Sequence, residues 1–178
     1  MMRRLGLVVL LASAFAFPAH ATMKEGDTAP DFSLRASDSG KEFTFHLADA
    51  LKKGPVVVYF YPKAFTKGCS IEAHNFAAAM DQYRQLGATV IGVSHDDIAT
   101  LDKFSVQDCA SKFPVAADTD GTVMKAWDTV LPKHEEYANR TSYVITPDGK
   151  VFYVYTDLEP DHHVENTLHA LKLYLGSR

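Results

Sequence analysis

A predicted strand turns into a predicted helix within the stretch Phe60-Tyr61-Pro62-Lys63-Ala64-Phe65-Thr66-Lys67-Gly68-Cys69. Residues 55–61 read Pro-Val-Val-Val-Tyr-Phe-Tyr, and this continuous run of β-branched and aromatic residues is typical of a central strand buried on both faces. Pro62 ends the strand because proline has no backbone N–H to donate to a neighbouring strand. The stretch therefore predicts a sharp connection at the carboxyl end of a buried strand.

Cys69 falls at the start of the helix that this connection begins. The pattern from about Lys67 to Leu86 predicts a helix, which Gly87 ends. A thiol in the first turn of a helix faces unpaired backbone N–H groups and the positive end of the helix dipole. Both favour the thiolate, which is the nucleophilic form of cysteine. Cys69 is therefore a candidate nucleophile, and a buried structural thiol is the alternative.

The rest of the sequence predicts an α/β fold. The further predicted elements are strands at 43–47, 88–94, 113–116, 140–146 and 151–156, and helices from Asp96 or Asp97 to about residue 110, near Trp127, and over about 161–174. The turn at 147–150 joins the last two strands into a hairpin. The order β-α-β-α, followed by this hairpin and a last helix, predicts a mixed central sheet flanked by helices.

Several motifs give the chain a family resemblance. Pro62, Thr66 and Cys69 match the Pro-x3-Thr-x2-Cys active-site motif of the peroxiredoxins, which are thiol peroxidases built on a thioredoxin fold. Residues 26–32 (Gly-Asp-Thr-Ala-Pro-Asp-Phe) resemble the opening segment of that superfamily. Ser70-Ile71-Glu72 looks most like the peroxiredoxin Q (bacterioferritin-comigratory) branch of the AhpC/TSA family. The resemblance extends to the last helix and implies a thioredoxin fold with peroxiredoxin insertions.

The resemblance implies a role for three residues of the connection. The thiolate of Cys69 would attack a peroxide oxygen and become a sulfenic acid. The Thr66 hydroxyl both donates and accepts hydrogen bonds, so it would orient the peroxide and bond the thiolate. An N-cap for the helix is an alternative role for Thr66, and both roles can hold at once. Pro62 would shape the pocket wall and keep water from the nucleophile.

Two charged residues complete the predicted site. Arg140 begins the segment Arg-Thr-Ser-Tyr-Val-Ile-Thr-Pro-Asp-Gly, which resembles the family segment that supplies the active-site arginine. Its guanidinium would stabilise the thiolate and the charge on the leaving oxygen, whereas a solvated arginine at a strand end is the alternative. Glu72 follows Cys69 by one helical turn, and a glutamate here helps to hold the arginine in peroxiredoxin Q-like chains. An ordinary acid in the first helical turn is the alternative for Glu72.

Cys109 is the second of two cysteines and the candidate resolving cysteine. We expect it on the helix face that also carries Ile98 and Leu101. The resemblance implies that it condenses with the Cys69 sulfenic acid to a disulfide, as cysteines on the corresponding helix do in one subset of the branch. The commonest resolving position of that branch is His74 here. The bridge needs Cα atoms within about 7 Å, so we expect local unfolding of one or both helices. A packed core thiol in a one-cysteine enzyme is the alternative.

The first 21 residues predict an export signal. Met1-Met2-Arg3-Arg4 is a positive n-region, residues 5–17 are apolar, and Ala19-His20-Ala21 is a cleavage site of the A-x-A kind. We therefore expect a signal peptide over residues 1–21 with cleavage after Ala21, one peroxiredoxin domain over residues 22–178, and a periplasmic or secreted location. An uncleaved membrane anchor is the alternative. Export also allows one structural disulfide between the two cysteines.

Charge and resemblance together limit the expected partners. Loss of Arg3 and Arg4 with the leader, which carries no acidic residue, changes the formal net charge from −4 to −6. This charge argues against nucleic acid or an anionic membrane as a partner. The resemblance implies a hydroperoxide substrate, a thioredoxin-like reductant, no cofactor or metal, and a monomer or weak dimer. A thiol–disulfide oxidoreductase and a copper-binding module of the same fold stay open, although the chain has no Cys-x-x-Cys motif. The adjacent pair His162-His163 is weak evidence for metal binding.

Overall fold

A mixed β-sheet forms the centre of the computed structural model, which describes residues 23–177. The strands are β1 Ser33–Asp38, β2 Lys41–His46, β3 Val56–Phe60, β4 Thr89–Ser94, β5 Val115–Ala117, β6 Val130–Leu131, β7 His134–Ala138, β8 Thr141–Ile145 and β9 Val151–Thr156. Seven of them form one sheet in the order β2-β1-β5-β4-β3-β8-β9, while β6 and β7 pair separately. The predicted mixed sheet is confirmed, whereas the predicted signal peptide, residues 1–21, lies outside the described residues.

Helices cover both faces of this sheet. They are α1 Leu47–Leu51, α2 Lys67–Gln85, α3 Ile98–Gln107, α4 Thr122–Ala126 and α5 His163–Gly176. Val57 and Tyr59 of β3 belong to one apolar cluster with side chains of α2, α3 and α5, whereas Val58 and Phe60 belong to a second cluster with side chains of α1 and α4. Because alternate residues of a strand point to opposite faces, β3 is buried on both sides, as predicted. Within residues 23–177, no helix is both long and apolar enough to span a membrane.

The register of β3 and β8 places the functional segments at one edge of the sheet. β3 runs parallel to β4 and antiparallel to β8, and Phe60 pairs with Thr141. The last residue of β3 therefore lies beside the first residue of β8. The connection that begins at Tyr61 and the arginine that precedes β8, Arg140, are brought together by this pairing.

Several elements differ from the sequence predictions. The strand β1, next to the edge of the sheet, and the hairpin β6–β7 were not predicted, because their mostly polar sequences do not alternate clearly with apolar residues. The helix α1 was missed because five residues are too few for a helical pattern. The strand predicted at 43–47 is present as Lys41–His46, and Trp127 is fully buried in the core.

The position of Cys109 corrects the prediction that it lies on a helix face. α3 begins after Asp97, whose side chain accepts a hydrogen bond from Thr100 N at 2.7 Å, and it ends at Gln107. Cys109 lies beyond this end, with its backbone N donating to Phe104 O at 3.1 Å. The chain then turns through residues 110–111, which have φ angles of +49° and +54°. Left-handed backbone cannot continue a helix, so the helical pattern of the sequence overran the helix.

Candidate active site

Cys69 lies in the first turn of α2, as predicted. Its side chain is buried, and Sγ lies 3.6 Å from Nη2 of Arg140. The residue before it, Gly68, explains the close approach, because a Cβ at this position would lie 3.0 Å from the same Nη2 atom. The sulfur therefore faces a cation at the amino end of a helix, an arrangement that favours negative charge on sulfur.

The connection before α2 is held in a fixed shape by Asp96. The backbone N of Ala64 donates to Asp96 Oδ2 at 2.7 Å, and Ser94 Oγ donates to the same oxygen at 2.8 Å. Phe65 has a φ of +63°, which is uncommon for a bulky residue and costs backbone free energy. Its ring packs edge-on against Phe104 at 5.2 Å between centroids. No pattern in the sequence indicates this role of Asp96, for which the sequence predicts only a possible helix cap.

Thr66 occupies the N-cap position of α2, but its side chain makes no capping hydrogen bond. The hydroxyl instead donates to the backbone O of Lys63 at 2.9 Å, and Thr66 O accepts from Ser70 N at 2.9 Å. The side-chain cap considered from sequence is therefore not formed. Thr66 is exposed, and because its hydroxyl hydrogen is used within the loop, the Oγ atom is left as an acceptor and does not donate to the sulfur of Cys69. Pro62 is half-buried at the start of the same loop.

Arg140 is 4% exposed and all three of its guanidinium nitrogens are engaged. Nε donates to Leu158 O at 2.8 Å, Nη1 donates to Glu72 Oε2, and Nη2 faces the sulfur of Cys69. The predicted contact between Arg140 and Glu72 is present, and the solvated strand-end alternative for the arginine is wrong. The planar guanidinium is fixed from two sides and presents its third nitrogen to the thiol.

Glu72 is fully buried one helical turn after Cys69. Burial raises the pKa of its carboxyl group to about 8, and the guanidinium of Arg140 acts in the opposite direction. Only Oε2 is hydrogen-bonded, whereas Oε1 has no hydrogen-bond partner among the described residues. Oε1 instead faces Nδ1 of His163 at 3.6 Å.

His163 and Ser142 are buried members of the site that the sequence did not reveal. Nδ1 of His163 lies 2.8 Å from Ser142 Oγ, and Nε2 lies 2.9 Å from Asp157 O. Burial lowers the pKa of His163 to about 4. The neighbouring His162 is exposed and faces Glu165, so the two histidines do not share one site. Among residues 23–177, no group of three or more His, Cys, Asp or Glu side chains is arranged to hold a metal ion.

Cys109 is a free thiol, as is Cys69, and both belong to the same apolar cluster. Burial raises the pKa of Cys109 far above its ordinary value, and the carboxylates of Asp108 and Asp38 act in the same direction. The structure therefore holds Cys109 as a neutral, enclosed thiol, without the cation that accompanies Cys69.

Sequence comparisons identify the family of the chain. The model of the AhpC/TSA family matches residues 25–154. Peroxiredoxin Bcp of Escherichia coli is 32% identical over 155 residues, which cover 84% of this chain and 96% of that protein. Chloroplastic peroxiredoxin Q of Oryza sativa subsp. japonica is 32% identical over 151 residues, which cover 84% of this chain and 67% of that protein.

Solved structures give the same result and confirm the predicted thioredoxin fold with peroxiredoxin insertions. Peroxidoxin BcpB from Mycobacterium tuberculosis has a TM-score of 0.76 at 32% identity and covers 85% of this chain and 97% of its own. A cysteine-to-serine mutant of PrxQ from Xylella fastidiosa has a TM-score of 0.78 at 28% identity, covering 87% and 99%. The chain therefore belongs to the AhpC/TSA family, where it is most like the peroxiredoxin Q and Bcp branch, and it is a peroxiredoxin-type, thioredoxin-dependent thiol peroxidase.

Proposed function

We propose that this peroxidase reduces hydrogen peroxide and organic hydroperoxides through a sulfenic acid at Cys69, and that Cys109 resolves this acid. The observation that carries the proposal is the 3.6 Å approach of Arg140 Nη2 to Cys69 Sγ in the first turn of α2. Of the two thiols in the chain, Cys69 has a guanidinium against its sulfur, whereas burial keeps Cys109 protonated. Cys69 is therefore the thiol suited to attack an oxygen atom.

The first step is displacement at a peroxide oxygen. The thiolate of Cys69 attacks one oxygen, so that an S–O bond forms while the O–O bond breaks and its electron pair passes to the second oxygen. That oxygen takes up a proton from solvent and leaves as water or as an alcohol. The guanidinium of Arg140 stabilises the negative charge on sulfur before attack and on the leaving oxygen afterwards. Thr66 Oγ, at the entrance, accepts the hydrogen bond of the peroxide O–H group.

The second step joins the two cysteines. The thiol of Cys109 condenses with the sulfenic acid, forming an S–S bond and releasing one water molecule. Both side chains are buried, so the segments that carry them open locally before they meet. Because Cys109 lies beyond the end of α3, opening residues 108–112 releases it without unwinding the whole helix. Two thiols of a thioredoxin-like protein then reduce the disulfide and are oxidised in its place.

Treatment of the reduced protein with one equivalent of hydrogen peroxide tests both steps. We expect the intact mass to fall by two hydrogens, both free thiols to disappear, and no intermolecular link to form. Gain of one oxygen on Cys69 with Cys109 still free would keep the peroxidase and make Cys109 a structural thiol. Absence of any rapid change would overturn the proposal as a whole, and titration of the reduced protein with copper would then test the metal-binding alternative.

Export of the chain is a separate proposal that rests on the sequence of residues 1–21. We propose cleavage after Ala21, a periplasmic or secreted location, and an exported thioredoxin-like reductant. Amino-terminal sequencing of the protein recovered from the periplasmic or secreted fraction should begin at Thr22. Recovery of the uncleaved chain in the membrane fraction would contradict cleavage and favour the membrane-anchor alternative.

The remaining partner proposals follow from charge and resemblance. We propose from the resemblance that the mature protein is a monomer or weak dimer. We also propose that it binds neither nucleic acid nor membranes, since its formal charge of −6 after loss of Arg3 and Arg4 repels nucleic acid and anionic lipid. Sedimentation of the reduced protein over a range of concentrations should give one species close to the monomer mass. A stable larger assembly at micromolar concentration would contradict the proposal.

A further inference from the structure

A buried network of four side chains lies behind the sulfur of Cys69 and consists of Arg140, Glu72, His163 and Ser142. Arg140 contacts the sulfur on one side and Glu72 Oε2 on the other. The second oxygen of Glu72 has no hydrogen-bond partner among the described residues, and it lies 3.6 Å from Nδ1 of His163, which is also fully buried. A carboxyl oxygen without a partner in the protein interior costs free energy unless it carries a proton or faces a positive charge.

The hydrogen bonds of His163 allow its charge to change without movement of other groups. Nε2 lies against the carbonyl oxygen of Asp157, which can only accept, so Nε2 carries a hydrogen in both charge states. Nδ1 lies against the hydroxyl of Ser142, which donates to a neutral imidazole and accepts from a protonated one. Rotation of one hydroxyl hydrogen is therefore enough to accommodate a proton on either Glu72 or His163.

The charge of the buried site calls for one such proton. A thiolate at Cys69, the guanidinium of Arg140 and a carboxylate at Glu72 together leave one uncompensated negative charge in the protein interior. An uncompensated buried charge is strongly unfavourable. One added proton on Glu72 or His163 makes the group neutral. The pKa values agree with this count, because burial raises that of Glu72 to about 8 and lowers that of His163 to about 4.

We propose that Glu72 and His163 hold one proton between them while Cys69 is a thiolate, which makes His163 a positioning residue that leaves the charge of Arg140 free to act on the sulfur. A fully ionised Glu72 would cancel the positive charge of Arg140, and its own negative charge would disfavour the thiolate of Cys69. This inference rests on Cys69 being the reacting thiol, as proposed above.

Other titratable groups near His163 do not serve as the second proton site. The groups that face it from the surrounding elements are Glu72 from α2, Arg140 just before β8, Tyr155 from β9, Asp157 from the loop before α5, and the neighbouring His162. Tyr155 donates to the Asp157 carboxylate at 3.2 Å, and His162 is exposed. Glu72 is the member of this set that is buried with an unpaired oxygen.

Two glutamine variants separate this role from a purely structural one. In His163→Gln, the amide N can still donate to Asp157 O, but no titratable nitrogen faces Glu72. His162→Gln removes the exposed neighbouring histidine and is the matched control. The measurement is the rate at which iodoacetamide alkylates Cys69 as a function of pH, with the labelled peptide identified by mass spectrometry.

We expect the midpoint of Cys69 alkylation to rise by about one pH unit in His163→Gln, because without the second proton site Glu72 ionises at lower pH and its negative charge disfavours the thiolate. The midpoint should stay unchanged in His162→Gln. An unchanged midpoint in a folded His163→Gln protein, or an equal shift in the control, would overturn the proposal.

Nuclear magnetic resonance of the unaltered, reduced protein decides the matter even if His163→Gln does not fold. At pH 7, the carboxyl 13C signal of Glu72 and the imidazole 15N signals of His163 should together report one proton. An ionised Glu72 beside a neutral His163 would overturn the proposal whatever the alkylation result. Failure of Cys69 to react with peroxide would instead overturn the proposed function. The NMR signals of Glu72 and His163 would still show whether the two residues share one proton.

Discussion

The two cysteines are almost equally buried, yet the structure surrounds them with opposite charges. Cys69 is 1% exposed and Cys109 is 0% exposed, and both belong to one apolar cluster. Cys69 lies at the amino end of α2 with Nη2 of Arg140 3.6 Å away. Cys109 follows the carboxyl end of α3, where burial and nearby carboxylates hold its pKa far above the ordinary value. Because both thiols are buried, the guanidinium and the helix end at Cys69 are what distinguish the reactive thiol from the other.

The largest expected difference between the two thiols appears when each is replaced by serine. Cys69→Ser should lower the rate of peroxide consumption by at least about a thousandfold, because it removes the nucleophile. Cys109→Ser should leave the first oxidation of Cys69 within about twofold of the unaltered protein, since that step precedes resolution. Stopped-flow measurement of single-turnover peroxide reduction gives both rates. Equal loss in the two variants would break the distinction between them.

Removal of the guanidinium of Arg140 should make the thiol of Cys69 as unreactive towards peroxide as that of Cys109. Arg140→Met should lower the rate of peroxide reduction by about 10²–10³-fold, the usual cost of losing one charge-stabilising group. Glu72→Gln is added in the same chain so that no unpaired carboxylate is left in the interior.

The control for this variant is the exposed pair Arg35 and Glu42, changed in the same way to Met and Gln. It removes the same charges at the surface and should leave the rate unchanged. A comparable loss in both double variants would show that removal of any such ion pair, and not of the guanidinium at the sulfur in particular, lowers the rate.

Alkylation of the native protein tests the comparison directly. At pH 7, iodoacetamide should label Cys69 at least about tenfold faster than Cys109, because the raised pKa of Cys109 keeps its thiol protonated and enclosed. In denaturant the two rates should become equal. Peptide mass spectrometry after timed quenching gives the ratio, and equal labelling of the folded protein would contradict the assignment.

The smallest expected effect is on stability, and it arises only at the network behind Cys69. The folded pKa of Glu72 is raised to about 8, so the folded state retains a proton that the unfolded state loses, and stability falls as pH rises towards 8. The folded pKa of His163 is lowered to about 4, so its contribution to the stability of the fold is lost as pH falls from about 6.5 towards 4. In that range the effect of His163 on stability is opposite to that of Glu72.

Between pH 6.5 and 8 the contribution of Glu72 is consequently unopposed. Urea unfolding should give the unaltered protein a loss of about 1–2 kcal/mol over this range relative to Glu72→Gln, since one pH unit corresponds to about 1.4 kcal/mol. Identical pH profiles for the two proteins would mean that Glu72 is already ionised in the folded state. That result would also weaken the case for a shared proton with His163.

The sequence was sufficient for the central strands and insufficient for the edges of the fold. The apolar run before Pro62 predicted β3, since burial on both faces leaves an unmistakable pattern. β1, with the sequence Ser-Leu-Arg-Ala-Ser-Asp, lies near the edge, where half of its side chains face solvent and the apolar pattern is weak. The end of α3 was misjudged for a related reason, because Cys109 is apolar enough to continue the helical pattern after the backbone has left it.

The candidate site divides in the same way. Motifs predicted the residues of the Pro62–Cys69 connection, Glu72 and Arg140. The structure brings the side chains of Cys69, Glu72 and Arg140 together. His163 was missed because burial of a histidine depends on packing between α5 and β8, which no local pattern reports. Asp96 was missed because its hydrogen bond to Ala64 N joins segments that are distant in sequence.

The antiparallel register of β3 and β8 also determines when the chain becomes reactive towards peroxide. Phe60 and Thr141 are separated in sequence by every element from α2 to β7, so the guanidinium and the thiol are brought together only when this long-range pairing forms. A chain that has not completed this pairing carries two ordinary thiols. Reactivity towards peroxide therefore arises together with the native fold, and the rate of sulfenic acid formation measures the folded fraction of a sample.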